Sequence, residues 1–216
     1  MKTIAVHALT FAFLLAGACA EMLTVRPFGY GLHLAVLLAG GNPLASAYYL
    51  AASAIASFDL LSFALAAGTA VAGAAAGFVI SACRRIKRKR LWRFVVHLTL
   101  QPPLCFVLVY FTGGTVLASL LTVFLGTAAG VLASFAVPLL AGRDLLSPNS
   151  MQCAGAGVIC VIAFAGLGRA EICGYPAAYT VFALLTLLAC KCRSPETGLL
   201  LGSLAALGCS LSERDA

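Results

Sequence analysis

LLSFALAAGTAVAGAAAGFVISAC (residues 60–83) followed by RRIKRKRLWR (residues 84–93) is the stretch on which the fold is decided. The first string carries no charge and is long enough, at about 1.5 Å per helical residue, to cross a hydrocarbon core about 30 Å thick. The second holds Arg84, Arg85, Lys87, Arg88, Lys89, Arg90 and Arg93, half of the chain's 14 lysines and arginines. No acid occurs between Asp59 and Asp144. The net charge of +7 is therefore one loop and not a diffuse basic surface. A second apolar stretch, Phe94 to Phe111, follows directly. A basic run pressed between two apolar runs reads as a cytoplasmic loop under the positive-inside rule, with anionic lipid as its natural contact. Nucleic-acid binding is not expected, because no stacking aromatics interleave beyond Trp92.

Working outward, the whole chain has the same character. Apolar residues fill 62% of 216 positions and charged residues 10%, where a soluble domain is about a quarter charged. A protein of this length has no interior large enough for that much hydrocarbon, so lipid is its solvent. The expected fold is all-α: a polytopic helical membrane bundle of about nine transmembrane helices, some short or Pro-kinked. Residues 1–216 form one integral membrane domain, with a cytoplasmic loop at 84–93 and a polar tail at 212–216.

The spans read as follows. Ile4–Ala20 is the first. Pro27–Ser57 is broken at Gly40-Gly41-Asn42-Pro43, which predicts two short helices and a tight turn, with a re-entrant pair as the alternative. Leu60–Cys83 precedes the basic loop. Phe94–Phe111 contains Gln101-Pro102-Pro103, which predicts a kink or interruption. A long helix runs to Leu140, then Met151–Gly168, Ile172–Cys190 and Thr197–Leu211 complete the set. With Lys2 inside, alternation puts the basic loop, Arg143, Lys191 and Arg193 inside. Only Arg26 and Arg169 fall outside, each near an acid, Glu21 and Glu171. The N-terminus also has the layout of a signal peptide ending Ala18-Cys19-Ala20, but an uncleaved first helix fits the alternation better.

Candidate sites are few. Gly73 and Gly77, Gly126 and Gly130, and Gly198 and Gly202 are each four apart, a spacing that lets helix backbones approach. That serves packing inside the bundle or contact with a second copy. Most of the nine cysteines lie in apolar spans as small hydrophobes. Cys190-Lys191-Cys192 lacks the spacing of a structural zinc site. His7, His33 and His97 sit on separate helices without a helical partner four residues away, so a metal face is not expected. No nucleophile elbow or phosphate loop is present. No catalytic residue, cofactor or metal is expected. Asn42 beside Pro43 and Gln101 beside Pro102 are polar groups next to freed backbone, which read first as kinks and otherwise as the kind of broken helix where transporters build binding sites.

Two stretches carry a resemblance. Phe13-Leu14-Leu15-Ala16 leads into Arg26-Pro27-Phe28-Gly29-Tyr30-Gly31-Leu32, and Gly41-Asn42-Pro43-Leu44 follows. Far downstream, Leu145-Leu146-Ser147 precedes a span ending Ile162-Ala163-Phe164-Ala165-Gly166-Leu167, with Ile172-Cys173-Gly174 behind it. Their order and spacing resembles the N-terminal membrane region of stage II sporulation protein E. The specific part is Pro27, Phe28, Gly29, Asn42 and Pro43. In that family a regulatory segment and a metal-dependent phosphatase domain follow ten spans. This sequence stops at Ala216, so no phosphatase activity carries over. The resemblance implies a non-enzymatic, multi-pass protein of the cell membrane acting as scaffold or localisation module. Its expected partners are the bilayer, a second copy, or other membrane and division proteins. The competing expectation is a small transporter or transporter subunit with a site at the Pro-broken helices.

Overall fold

The computed structural model describes residues 2–20, 28–40, 44–56, 60–83, 90–112, 115–140, 149–168, 171–172, 175–192 and 195–213. Pro27, Asn42, Pro43, Arg84 to Lys89, Arg143 and residues 214–216 lie outside them. Among the described residues there are nine helices: α1 (Lys2–Ala20), α2 (Phe28–Leu38), α3 (Ala45–Ala56), α4 (Leu60–Ala82), α5 (Arg90–Phe111), α6 (Val116–Leu140), α7 (Ser150–Leu167), α8 (Ala177–Cys192) and α9 (Pro195–Glu213). Between α7 and α8 a two-residue antiparallel ladder pairs Glu171–Ile172 (β1) with Tyr175–Pro176 (β2). The architecture is helical, and α4, most of α5, most of α6, and α7 are long and apolar enough to cross a membrane.

Uninterrupted apolar runs set the long helices. Helix α7 has a reciprocal cap: the Asn149 side chain accepts from the Gln152 N–H at 2.8 Å, and the Gln152 side chain accepts from the Asn149 N–H at 2.8 Å. This satisfies backbone donors that a helix start leaves orphaned. Two boundaries differ from expectation. The span expected from Ile172 begins as a helix only at Ala177, because Ile172 and Tyr175 pair in the ladder and Pro176 contributes no N–H. The last helix begins at Pro195, where a missing donor costs nothing, and Glu196 lies in its first turn, favourable to the helix dipole.

Of the kink or interruption expected at Pro102-Pro103, the interruption does not occur: α5 is continuous through both. Proline removes the N–H that would bond four residues back, so the carbonyls of Leu98 and Thr99 lose their helical donors. Pro103 is exposed and Pro102 half-buried, so the rings face away from the packed side. Neighbouring helices hold the remaining turns in place.

The core centres on α2. Gly29 through Leu38 are all buried, although the helix is only about 16 Å long. It touches α1, α3, α4, α5 and α6. Enclosure is possible because the backbones come close. A Cβ at Gly31 would lie 2.8 Å from the Gly126 carbonyl oxygen, and one at Gly130 would lie 2.7 Å from the Gly31 carbonyl oxygen. Tyr30 ties the same pair of helices, its hydroxyl 3.3 Å from Thr127 Oγ1. Gly40, at φ +87°, ends α2 in a left-handed turn that favours glycine.

Side-chain contacts fix helix directions. His7 and Phe11 of α1 meet Tyr48 of α3, so these two start at the same end. Gly166 of α7 faces Ala16 and Cys19 near the far end of α1. Gly68 and Gly73 of α4 face Leu108 and Gln101 of α5, an antiparallel pairing. Gly198 and Gly202 of α9 face Cys190 and Phe182 of α8, antiparallel again. The outside of the bundle is apolar: Phe78, Leu117, Phe124, Leu187 and Leu199 are each more than two-thirds exposed.

Gly130→Ala puts a methyl against the Gly31 backbone and is expected to cost about 1–3 kcal/mol, the range for overpacking. Gly77 has open space around it, and Gly77→Ala is expected to stay within about 0.5 kcal/mol of wild type. Thermal unfolding of the two purified variants checks the pair.

Candidate functional site

The most polar place in the packed interior is where α2, α3, α4 and α5 meet. Arg93, His97 and Gln101 of α5 are four residues apart, which places them on one helix face. That face turns toward α2. His33 of α2 is 0% exposed, Gln101 1% and His97 3%. His33 Nε2 lies 3.1 Å from Ser46 Oγ of α3. Its ring stacks on Tyr49, centroids 4.6 Å apart and planes 10° from parallel.

Gly73 of α4 makes this packing possible. A Cβ there would lie 2.7 Å from Gln101 Nε2, 2.7 Å from His33 Cε1 and 2.8 Å from Leu37 Cδ1. At the end of the stripe nearest the basic segment, Arg93 reaches the α2 turn: a Cβ at Gly40 would lie 2.7 Å from its Nη1. A cation at a helix C-terminus is favourable, because the last carbonyls there carry partial negative charge.

Several buried polar atoms of the cluster have no hydrogen-bond partner among the described residues. They are His33 Nδ1, His97 Nδ1, Arg93 Nε, and both Nε2 and Oε1 of Gln101. Each such group costs free energy, since burial strips its water without replacement. The described part of α1 to α7 contains no aspartate or glutamate. No group of three or more metal-ligating residues occurs among the described residues.

The residues singled out from sequence fall in three places. Arg93 joins the cluster, Arg90 opens α5, and Arg84 to Lys89 lie outside the described residues. Gly73, Gly126 and Gly130 lie at helix contacts inside the bundle; Gly198 and Gly202 face α8; Gly77 faces open space. Phe28 and Gly29 open α2, while Pro27, Asn42 and Pro43 are outside the described residues. Sequence reading placed the histidines on separate helices, which is correct, and treated each alone. It missed that His33 and His97 flank one junction with Gln101. The four-residue spacing of Arg93, His97 and Gln101 was the available signal. Comparison with protein-family models, curated proteins and solved structures finds no match.

Ser46→Ala deprives His33 Nε2 of its partner at a fully buried position. Expected is a loss of about 1–3 kcal/mol, the cost of an orphaned buried polar group. Ser81 is exposed and its hydroxyl donates only to Phe78 O of its own helix, so Ser81→Ala is expected to be neutral within about 0.5 kcal/mol. Unfolding midpoints in one detergent separate the two.

Proposed function

We propose that this chain is a multi-pass membrane protein, crossing nine times, that acts as a non-enzymatic scaffold or localisation module of the sporulation type. The observation that carries the reading is the central place of α2. Phe28 and Gly29, from the more specific of the two resembling stretches, open the helix around which the bundle packs. Alternation supports nine crossings. Contacts pair α1 with α3 and α7 in one direction, and α4 against α5 and α8 against α9 in opposite directions. A re-entrant α2–α3 pair would run in the same directions, so depth is the discriminator. Gly40, at the turn, sits beside Arg93 in the first turn of α5, next to the basic segment. That depth favours two full crossings over a hairpin that turns midway.

Orientation follows from the positive-inside rule: the basic segment is cytosolic, in the cell membrane. Partners of a scaffold would be the bilayer, a second copy, or other membrane and division proteins. The exposed apolar girdle is the surface that lipid or such a partner covers.

A second reading, a small transporter or transporter subunit, draws on the buried polar junction at Gln101, since polar groups deep in an apolar bundle are expensive and often functional. Deletion of the gene is expected to lower spore yield and disturb septum formation, with restoration by the full chain. Normal sporulation contradicts the scaffold reading. Saturable solute uptake by liposomes holding the purified protein would favour the transporter instead.

A further inference from the structure

Helix α5 is held differently on the two sides of Pro102-Pro103. Neither proline has the N–H that would close a turn, so the backbone bends most easily between Leu98 and Pro103. Beyond the prolines the helix is anchored by apolar contacts. Cys105 is 3% exposed and packs with Tyr30 and Leu34, and Leu108 lies against Gly68 of α4. Before the prolines the anchoring is poorer. From Leu91 to Gln101 the buried side chains are His97 and Gln101. His97 Nδ1 and both amide atoms of Gln101 lack a hydrogen-bond partner among the described residues. A Cβ at Gly73 would already lie 2.7 Å from Gln101 Nε2 and from His33 Cε1, so hydrating these groups requires α5 to move off α4. Of the four helices long enough to cross a membrane, α5 is also the least enclosed.

We propose that the Arg90–Gln101 half of α5 is a gate arm, hinged at Pro102-Pro103 and latched by Arg93 on the α2 turn, which swings off α2 and α4 to open the His33–Gln101 junction to water. The described packing is its closed state. Arg93 Nη1 lies against Gly40, where the carbonyl end of α2 favours a cation, and this contact secures the arm near its free end. The amide of Gln101 and the imidazole of His97 act in the opposite direction, because leaving the interior restores their hydrogen bonds. Opposed contributions bring two states close in free energy, and the hinge absorbs the backbone change between them. The gap forms at the end that carries the basic segment, since Arg93 is nearest that segment and the prolines lie deeper. The outer half of α5, anchored at Cys105 and Leu108, stays in place. The device rests on the bundle geometry and holds whether the protein scaffolds or transports.

The test is the rate at which a charged, water-soluble thiol reagent modifies Cys105 in the purified full chain, kept as its only cysteine. Cys105 follows Gln101 by four residues on the same helix face, so it is uncovered when the arm swings. A second chain keeping only Cys209, 5% exposed on α9, reports openings that do not involve the arm. The quantity read is the ratio of the Cys105 rate to the Cys209 rate, which cancels changes in overall stability. Gln101→Leu stabilises the closed state, and Pro102→Ala with Pro103→Ala stiffens the hinge; each is expected to lower the ratio about tenfold. Arg93→Gln releases the latch and is expected to raise the ratio by a similar factor. Cys105 that stays unmodified until the chain unfolds overturns the proposal. So does a ratio that Gln101→Leu and Arg93→Gln leave unchanged or move in the same direction. Neither result bears on spore yield, so failure here is distinguishable from failure of the scaffold reading.

Discussion

Backbone-to-backbone approach around α2 is the constraint on which the rest of the structure depends. In lipid, helices gain nothing by hiding apolar side chains from their surroundings, because the surroundings are apolar too. Association must come from dispersion at close range and from interhelical polar contacts. Gly31 and Gly130 allow each backbone to meet the other's carbonyl, and Gly73 lets α4 close over His33 and Gln101. Side chains at those positions would hold α2 off from its neighbours and open the polar junction. The same glycines that make the packing tight therefore also create the site.

The junction and the girdle express opposite physics. Outside, Phe78, Phe124 and Leu199 present hydrocarbon to hydrocarbon, which costs nothing in a bilayer. Inside, His33, His97 and Gln101 are fully enclosed with hydrogen-bonding capacity to spare. An apolar replacement of similar volume would relieve that expense. The stacking of Tyr49 on His33 and the Ser46 contact hold one side of the imidazole and leave the other directed into the junction. Arg93 adds a charge where the carbonyls at the end of α2 can balance it. Placement of this kind fits a polar centre with a role beyond packing.

Much of the fold was legible because apolar runs report their own ends. The helices at 60–82, 116–140 and 150–167 start and stop within a residue or two of the apolar stretches that predicted them. The turn at Gly40 was equally plain, since a glycine pair before Asn-Pro cannot continue a helix. The rest failed for specific reasons. Pro102 and Pro103 suggested a kink or an interruption, and α5 runs on through both, so the prolines alone did not mark a helix end. Ile172 reads as the start of a span, yet pairing with Tyr175 delays the helix to Ala177. The junction itself was half legible: the α5 stripe follows from spacing, whereas its meeting with His33 depends on which helix packs where.

Insertion of this bundle in a bilayer, with its basic segment facing the cytosol, is open to direct measurement. The most direct measurement uses a variant keeping Cys83 as its only cysteine, which is exposed at the end of α4 beside that segment. A membrane-impermeant thiol reagent is applied to intact cells and to permeabilised ones, and the membrane fraction is assayed for label. Label is expected only after permeabilisation, on protein that sediments with membranes. Label on intact cells, or a chain that stays in the soluble fraction without detergent, contradicts it.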